Sequence, residues 1–320
     1  MPDTAPLLRI ASRASPLAMA QSHNARAQLA RLHGWPQDAW DAIYPIIPMK
    51  TTGDRVLDRP LADIGGKGLF VKEIEEALLE NRADIAVHSM KDLPGLLPPD
   101  LVIAAVLERE NPADVFIGPK GGFASLPQGA TLGTSSPRRR AQALRQRPDL
   151  NIIALRGNVE TRLAKLARGE ADGIMLAQAG LTRLGIAPDN IQPLTGDAWL
   201  PAICQGAVGL EIRANDDKTR ALVAPLDHGP SALNAFCERG FLAYLEGSCR
   251  TPIAGLARIT ENHLDFLGEV LSPDGRRFWR VARNLTLSKP GANGRETVYA
   301  LGRDAAADIR AQAGGEYPNI

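Results

Sequence analysis

The sequence predicts an α/β protein: two successive α/β segments followed by a small C-terminal α+β domain built on an antiparallel sheet. Three observations predict it. Short apolar runs at 7–12, 84–87, 131–133, 152–155 and 173–177 each pass through a polar turn, mostly into helically spaced apolar residues, the alternation that builds parallel sheets. After Asp227 the pattern changes to one helix, three extended runs and a tight turn. The chain has 320 residues, 44% of them hydrophobic and 23% charged, enough for two or three ordinary domains, and its 30 glycines and 24 prolines supply many short connections.

Residues 7–12 lead to Arg13, Ser15 and Pro16, after which Leu17, Ala20, Ala27 and Leu32 follow a broadly helical spacing. Ser15 suits the N-cap and Pro16 the first helical position, where a missing amide donor costs nothing. The helix amides and Arg13 would together make a small anion site; a surface arginine beside an ordinary capped helix is the competing reading. Residues 43–49 read as an extended run broken by Pro45 and Pro48, which suits a sheet edge. Gly65-Gly66-Lys67-Gly68 opens a helix marked by Leu69, Ile74, Ala77 and Leu78, but it lacks the spacing and the Ser or Thr of a phosphate loop. It reads as a mobile loop bringing Lys67 and Phe70 to a cleft. The run 84–87 ends in His88-Ser89-Met90-Lys91-Asp92. Polar groups at a strand end suit chemistry: Asp92 would move protons or stabilise a cation, and Lys91 would bind an acidic substrate. A plain surface ion pair is the alternative.

The second α/β segment begins near Asn111. Thr134-Ser135-Ser136-Pro137 reads as a cap and helix entry leading into Arg138-Arg139-Arg140, and Arg156-Gly157-Asn158 repeats the plan with Arg162 one turn into the next helix. The run 173–177 leads on to Arg183. Between Thr131 and Arg183 stand nine arginines and one lysine against four acidic residues, while the whole chain carries a net charge of only +1. Arginine's planar fork suits carboxylates as well as phosphates. The same stretch contains no Phe, Tyr or Trp, so a small polyanion fits better than RNA.

Leu233, Phe236, Cys237, Phe241, Tyr244 and Leu245 are spaced for a helix over 231–245 with one buried face, and Gly247 suits its end. Cys249 follows in a turn beside Arg250, which would favour its thiolate. Strands are predicted over 252–258, 263–271 and 277–283, with Ser272-Pro273-Asp274-Gly275 as a hairpin turn and 305–311 as a terminal helix. Three widely spaced cysteines, Cys204, Cys237 and Cys249, argue against a disulfide scaffold and for a reduced intracellular setting. No stretch reads as a signal peptide or membrane span, the five histidines show no zinc spacing, and no Ser-centred hydrolase elbow is present.

Taken in order, 10–18, 65–73, 81–92, 133–139, 155–162, 205–211 and 245–252 together closely resemble the porphobilinogen deaminase (hydroxymethylbilane synthase) family over nearly the whole chain. The resemblance implies two doubly wound domains like those of periplasmic binding proteins, residues 1–107 with 204–225 and residues 108–203. A cofactor-attachment domain follows over 226–320. It implies a transferase that condenses four porphobilinogen molecules onto a dipyrromethane cofactor, held by a thioether to Cys249, and releases the linear tetrapyrrole by hydrolysis. Asp92 then becomes the catalytic carboxylate. Lys91, Asp92, Ser135, Arg138, Arg139 and Arg156 become cofactor-binding, and Arg13, Ser15, Arg156, Arg162 and Arg183 substrate-binding. Lys67 and Phe70 belong to a loop over the cleft. The implied protein is a cytoplasmic monomer that binds neither nucleic acid nor membrane and passes its product to uroporphyrinogen-III synthase. Departures from the family pattern are Cys204 in place of glycine, Pro137 in place of an apolar residue, and Ser248 in place of a second glycine before the cysteine. A bilobed binding protein for a small anion would share the two lobes and the arginine cleft, but it leaves the third domain and Cys249 without a use.

Overall fold

A computed structural model describes residues 7–55, 68–245, 251–287 and 294–314. Lys67 and Cys249 lie outside the described residues. The chain opens with β1 (Ile10–Arg13) and α1 (Pro16–Leu32), where the Ser15 hydroxyl accepts from the Ala18 amide at 3.4 Å and Pro16 takes the first turn. A short α2 (Trp40–Ile43) precedes β2 (Ile46–Met49), which occupies the sheet edge, where Pro48 breaks no central ladder. The single turn α3 (Thr52–Arg55) and then α4 (Lys72–Leu79) follow, so Leu69 precedes the helix instead of opening it. Ile74, Ala77 and Leu78 of α4 pack on Ala11 and Ala86. β3 (Ile85–Ser89) and β4 (Leu101–Val106) complete the outward path.

The chain then crosses into a second sheet through β5 (Asp114–Ile117), β6 (Thr131–Gly133), α5 (Pro137–Gln146), β7 (Asn151–Ile153), α6 (Val159–Ala167), β8 (Gly173–Ala177), α7 (Gln178–Leu184) and β9 (Ile191–Leu194). Ser136, rather than Ser135, caps α5, accepting from the Arg139 amide at 3.4 Å, and Asn158 caps α6, accepting from Thr161 at 2.8 Å. β10 (Val208–Arg213) then returns to the first sheet, followed by α8 (Asp217–Val223). The strand orders are β2-β1-β3-β10-β4 and β7-β6-β8-β5-β9. In each sheet the strand that follows a crossing runs antiparallel to both neighbours, β10 between β3 and β4 and β5 between β8 and β9. This is the two-lobed, doubly wound plan that the sequence predicts.

The last part comprises α9 (Gly229–Tyr244), the antiparallel strands β11 (Ile253–Thr260), β12 (His263–Leu271) and β13 (Phe278–Thr286), and α10 (Gly294–Ala313). α9 and α10 cross closely at two glycines: a Cβ on Gly240 would lie 2.1 Å from the Tyr299 carbonyl oxygen, and one on Gly302 1.9 Å from that of Cys237. α10 is much longer than the predicted 305–311, because Val298 and Gly302 already belong to its buried face. Strands β4, β5 and β9 were not anticipated.

Candidate active site

The carboxyl ends of the parallel strands in both sheets gather polar groups around one crevice, the usual location for chemistry in open α/β sheets. The first sheet supplies Arg13, the last residue of β1, and the 3-10 turn Met90–Asp92 that follows β3. The second supplies Ser135 at the entry to α5, Arg156 beyond β7, Arg162 in α6 and Arg183 in α7. Helices α1 and α7 meet across the crevice, with Leu17 Cδ2 3.6 Å from where a Cβ on Gly180 would sit. Between them Gln21, Ser89, Lys91 and Arg183 line a cavity of about 20 Å3, room for about one water.

Arg13 is the most heavily engaged group from the first sheet. Its Nε and Nη2 donate to Asp54 Oδ2 and Oδ1 at 3.3 and 2.5 Å, Nη1 lies 3.5 Å from Asp92 Oδ2, and the Phe70 ring centre lies 4.2 Å from the guanidinium carbon. Burial works against the Arg13 charge, but Asp54 and Asp92 outweigh it and hold the guanidinium above its ordinary value. Lys91 is pushed down to about 8, first by burial; Arg139 and Arg138 add to this, and Asp92 and Asp114 oppose it. Ser15, half-buried next to this group, is occupied as the cap of α1.

Asp114 organises the second sheet's contribution. Arg138 and Arg139 are only 3% and 6% exposed. Arg138 Nη1 donates to Asp114 Oδ2 at 2.6 Å and to Gln142 Oε1 and the Leu200 carbonyl at 3.0 Å. Arg139 donates through Nε and Nη2 to Asp114 Oδ1 at 3.1 and 2.7 Å, and through Nη1 to the Met175 carbonyl at 3.0 Å. Gln205 Nε2, from the return crossing, reaches the same Oδ1 at 2.8 Å. Burial alone would raise the Asp114 carboxyl, but the two guanidinium groups hold it far below the usual range. Both arginines are therefore spent largely inside the protein, while Arg138 Nε and Ser135 Oγ are buried with no partner among the described residues.

Arg162 donates through Nε to the Gly157 carbonyl at 2.8 Å, and burial followed by the fields of Arg139 and Arg156 lowers it to about 10. Arg156 is half-buried, and its carbonyl accepts from Lys165 Nζ at 3.3 Å. Arg183 spends Nη2 on the Gly206 carbonyl at 2.6 Å, tying α7 to the return crossing. The fields acting on Lys91 and Arg162 thus link Asp92, Asp114, Arg138, Arg139 and Arg156 into one charged cluster.

Cys204 is buried, and burial followed by the field of Glu238 pushes its thiol up to about 12, so it is no rival nucleophile. It adopts φ +57°, a left-handed conformation that glycine adopts at lower cost. Residues 246–250, which include Cys249, follow buried Leu245 and precede buried Thr251 in sequence. α9, which leads into it, donates from Arg239 to the carbonyls of Pro94 and Gly95, just beyond Asp92, at 3.1 Å. A larger cavity, about 940 Å3, lies between residues 108–113, Trp199 and the outer face of the antiparallel sheet. Its lining mixes Glu110, Asp197 and Asp265 with Arg109 and Arg258, and it includes none of the residues singled out from the sequence.

Comparison with known proteins adds the family. Residues 8–221 match the model described as "Porphobilinogen deaminase, dipyromethane cofactor binding domain", and residues 232–309 match that of the porphobilinogen deaminase C-terminal domain. The chain is 47% identical over 321 residues to a porphobilinogen deaminase of Paracoccus denitrificans, covering 99% of this chain and 98% of the relative. It is 48% identical over 316 residues to a Nitrobacter winogradskyi protein of the same name, covering 98% and 96%. Among solved structures, a Salmonella typhimurium periplasmic binding protein with high arginine specificity aligns at 12% identity and a TM-score of 0.37 over 69% of this chain and 92% of that one. With both family models matched in order and two relatives aligned almost end to end, the chain belongs to the porphobilinogen deaminase family.

Proposed function

We propose that the protein is a hydroxymethylbilane synthase, condensing four porphobilinogen molecules head to tail with loss of ammonia and releasing the linear tetrapyrrole. The observation that carries this reading is Asp92, placed at a strand end beside Lys91 and 3.5 Å from Arg13, in a crevice otherwise lined by arginines. Residues in the crevice fit a group with carboxylate arms: Ser135 Oγ and Arg138 Nε are buried donors without partners among the described residues, and Lys91 stands nearby. Dipyrromethane, when bound, supplies the pyrrole carbon to which substrate is added. Cys249 would hold it through a thioether, and Lys91, Ser135, Arg138, Arg139 and Arg156 would bind its acetate and propionate arms.

Asp92 performs the electrostatic and proton-transfer work. Its carboxylate stabilises positive charge developing on the pyrrole nitrogen as ammonia leaves, and it accepts a proton once the new carbon–carbon bond has formed. Arg13, Arg156, Arg162 and Arg183 orient the substrate carboxylates without reacting, Ser15 adds a hydroxyl beside Arg13, and Phe70 covers this side of the crevice; Lys67, outside the described residues, would act with it. Admitting a pyrrole through the narrow gap between α1 and α7 would require the lobes to separate. Limits of 1–107 with 204–225, 108–203 and 226–320 keep each sheet whole and serve as the proposed domains. A cytoplasmic monomer handing its product to uroporphyrinogen-III synthase belongs to the same reading. No helix among the described residues is long and apolar enough to cross a membrane.

Intact-protein mass and turnover test this reading together. The active protein is expected to carry a dipyrromethane increment that maps to Cys249, and Asp92→Asn to fold while losing at least about 100-fold in turnover. An active preparation without the increment, or near-normal tetrapyrrole production by Asp92→Asn, overturns it.

A further inference from the structure

Arg13 stands between two carboxylates and is shared unequally. Asp54 takes the Nε–Nη2 edge in a forked pair, with a shortest contact of 2.5 Å, while Asp92 faces only Nη1 at 3.5 Å. Charge-assisted N–H···O bonds normally close to about 2.7–2.9 Å, so Asp92 is the loosely held partner. Asp54 cannot yield its place easily, because Thr51 donates to its Oδ2 through both the hydroxyl, at 2.7 Å, and the amide, at 3.3 Å. The turn that carries it is itself pinned: the Thr52 amide and hydroxyl donate to Glu73 Oε1 at 2.8 and 2.7 Å, and the Gly53 amide donates to the Leu69 carbonyl at 2.8 Å. Phe70 lies against both Gly53 and the guanidinium of Arg13. Among the described residues, Asp54 and Phe70 thus hold Arg13 toward α3, against the weaker pull of Asp92.

We propose that Asp54 is a positioning residue for the reaction: it holds Arg13 off Asp92, leaving the Asp92 carboxylate weakly paired and its oxygens open to accept a proton. The inference rests on the role proposed for Asp92. A carboxylate closed into a tight pair with arginine becomes a poor base, its affinity for a proton falling by about one to three pKa units. Among the described residues, the charged groups facing Asp92 are Arg13, from β1, and Lys91, from its own turn; those facing Arg13 are Asp54, from α3, and Asp92. Without the Asp54 charge, Arg13 retains a single anionic partner and swings onto Asp92.

The test is Asp54→Asn in the full-length protein. Selective 13C labelling of aspartate carboxyls, with the Asp92 signal assigned by its loss in Asp92→Asn, reads protonation without turnover. The Asp92 titration midpoint is expected to fall by about one pH unit. The acid limb of kcat/KM should move down with it, and kcat should fall about tenfold. Asp54→Glu should restore most of both. Thr51→Val keeps the charge and volume but removes the hydroxyl that anchors Asp54; it should shift the midpoint part of the way and guards against a folding defect in Asp54→Asn. In an Arg13→Gln background, Asp54→Asn should move the midpoint far less, because no guanidinium remains to swing. An unmoved midpoint and acid limb in Asp54→Asn overturns the proposal, whatever happens to kcat, and so does an equal shift in the Arg13→Gln background. A fully active Asp92→Asn would instead overturn the reading beneath it.

Discussion

Glu238, in α9, accepts both guanidinium ends of Arg109, at 2.7 and 3.1 Å, and is fully buried. The same carboxylate accepts from the backbone amides of Cys204 at 2.5 Å and Ala257 at 2.8 Å, while Arg109 also donates to the Gln205 carbonyl at 2.9 Å. One acidic side chain therefore fastens the outward crossing, the return crossing and the antiparallel sheet. Breaking such a pair from one side strands a buried charge. Arg109→Met is expected to cost about 3–5 kcal/mol in urea unfolding. Adding Glu238→Gln to that variant should recover part of the loss, because the stranded charge is gone while one of the two backbone amides, of Cys204 or of Ala257, keeps an acceptor.

The return crossing also separates two backbone requirements. A Cβ on Gly206 would lie 2.3 Å from the Glu110 carbonyl oxygen, on a residue already at φ +87°. Gly206→Ala should therefore cost upward of about 3 kcal/mol or fail to fold. At Cys204 only the backbone angle is unusual and the thiol has no chemical task. Cys204→Gly should leave stability within about 1 kcal/mol and turnover unchanged, measured by thermal unfolding and product formation.

Lys91 is expected to set a pH limit on binding. Its folded value of about 8 means that the ammonium is present below that pH and disappears as pH rises through it. If it holds acidic arms, KM for porphobilinogen should climb above about pH 8. Lys91→Arg, which stays charged, should abolish that alkaline limb even if kcat suffers from its larger head.

Behind the same strand, His88 Nε2 lies 2.9 Å from buried Glu211 Oε2, and Glu75 is pushed from 4.5 up to about 7 by burial and the Glu211 charge, with His88 opposing. The folded protein therefore binds this proton more tightly than the unfolded chain. That contribution to stability is complete below about pH 4.5 and is lost as pH rises to about 7. Glu75→Gln should remove this slope, leaving stability little changed at pH 4 and raising it by about 2 kcal/mol at pH 8.

Much of this architecture was readable from local rules. The capping serine and proline at residues 15–16 placed α1, the Ser-Pro-Asp-Gly turn placed the β12–β13 hairpin, and Lys91-Asp92 at the end of an apolar run marked the crevice. What escaped were features whose meaning is set by distant partners. Leu101-Val102-Ile103 is a plain apolar strand pattern, but it follows closely on Pro94, Pro98 and Pro99 and is too short a run to stand out as a strand on its own. Asp114 begins an apolar strand with nothing local to show that two arginines 24 and 25 residues later close on it. Asp54 escaped for the same reason, since its partner Arg13 is 41 residues away in sequence. Arg138 and Arg139 were identified by charge, yet how little of them reaches solvent could not be read from three arginines in a row.

The placement of β10 carries a consequence for how the chain comes into being. β3 and β4 do not pair with each other; both pair with residues 208–213, nearly the whole second lobe later in sequence. During synthesis from the N-terminus, the first lobe thus leaves the ribosome lacking the middle of its sheet, whereas the strands of the second sheet are all complete by Leu194. The earlier-made lobe is the one that must wait, its unpaired strand edges exposed, until the later-made one has been threaded past it.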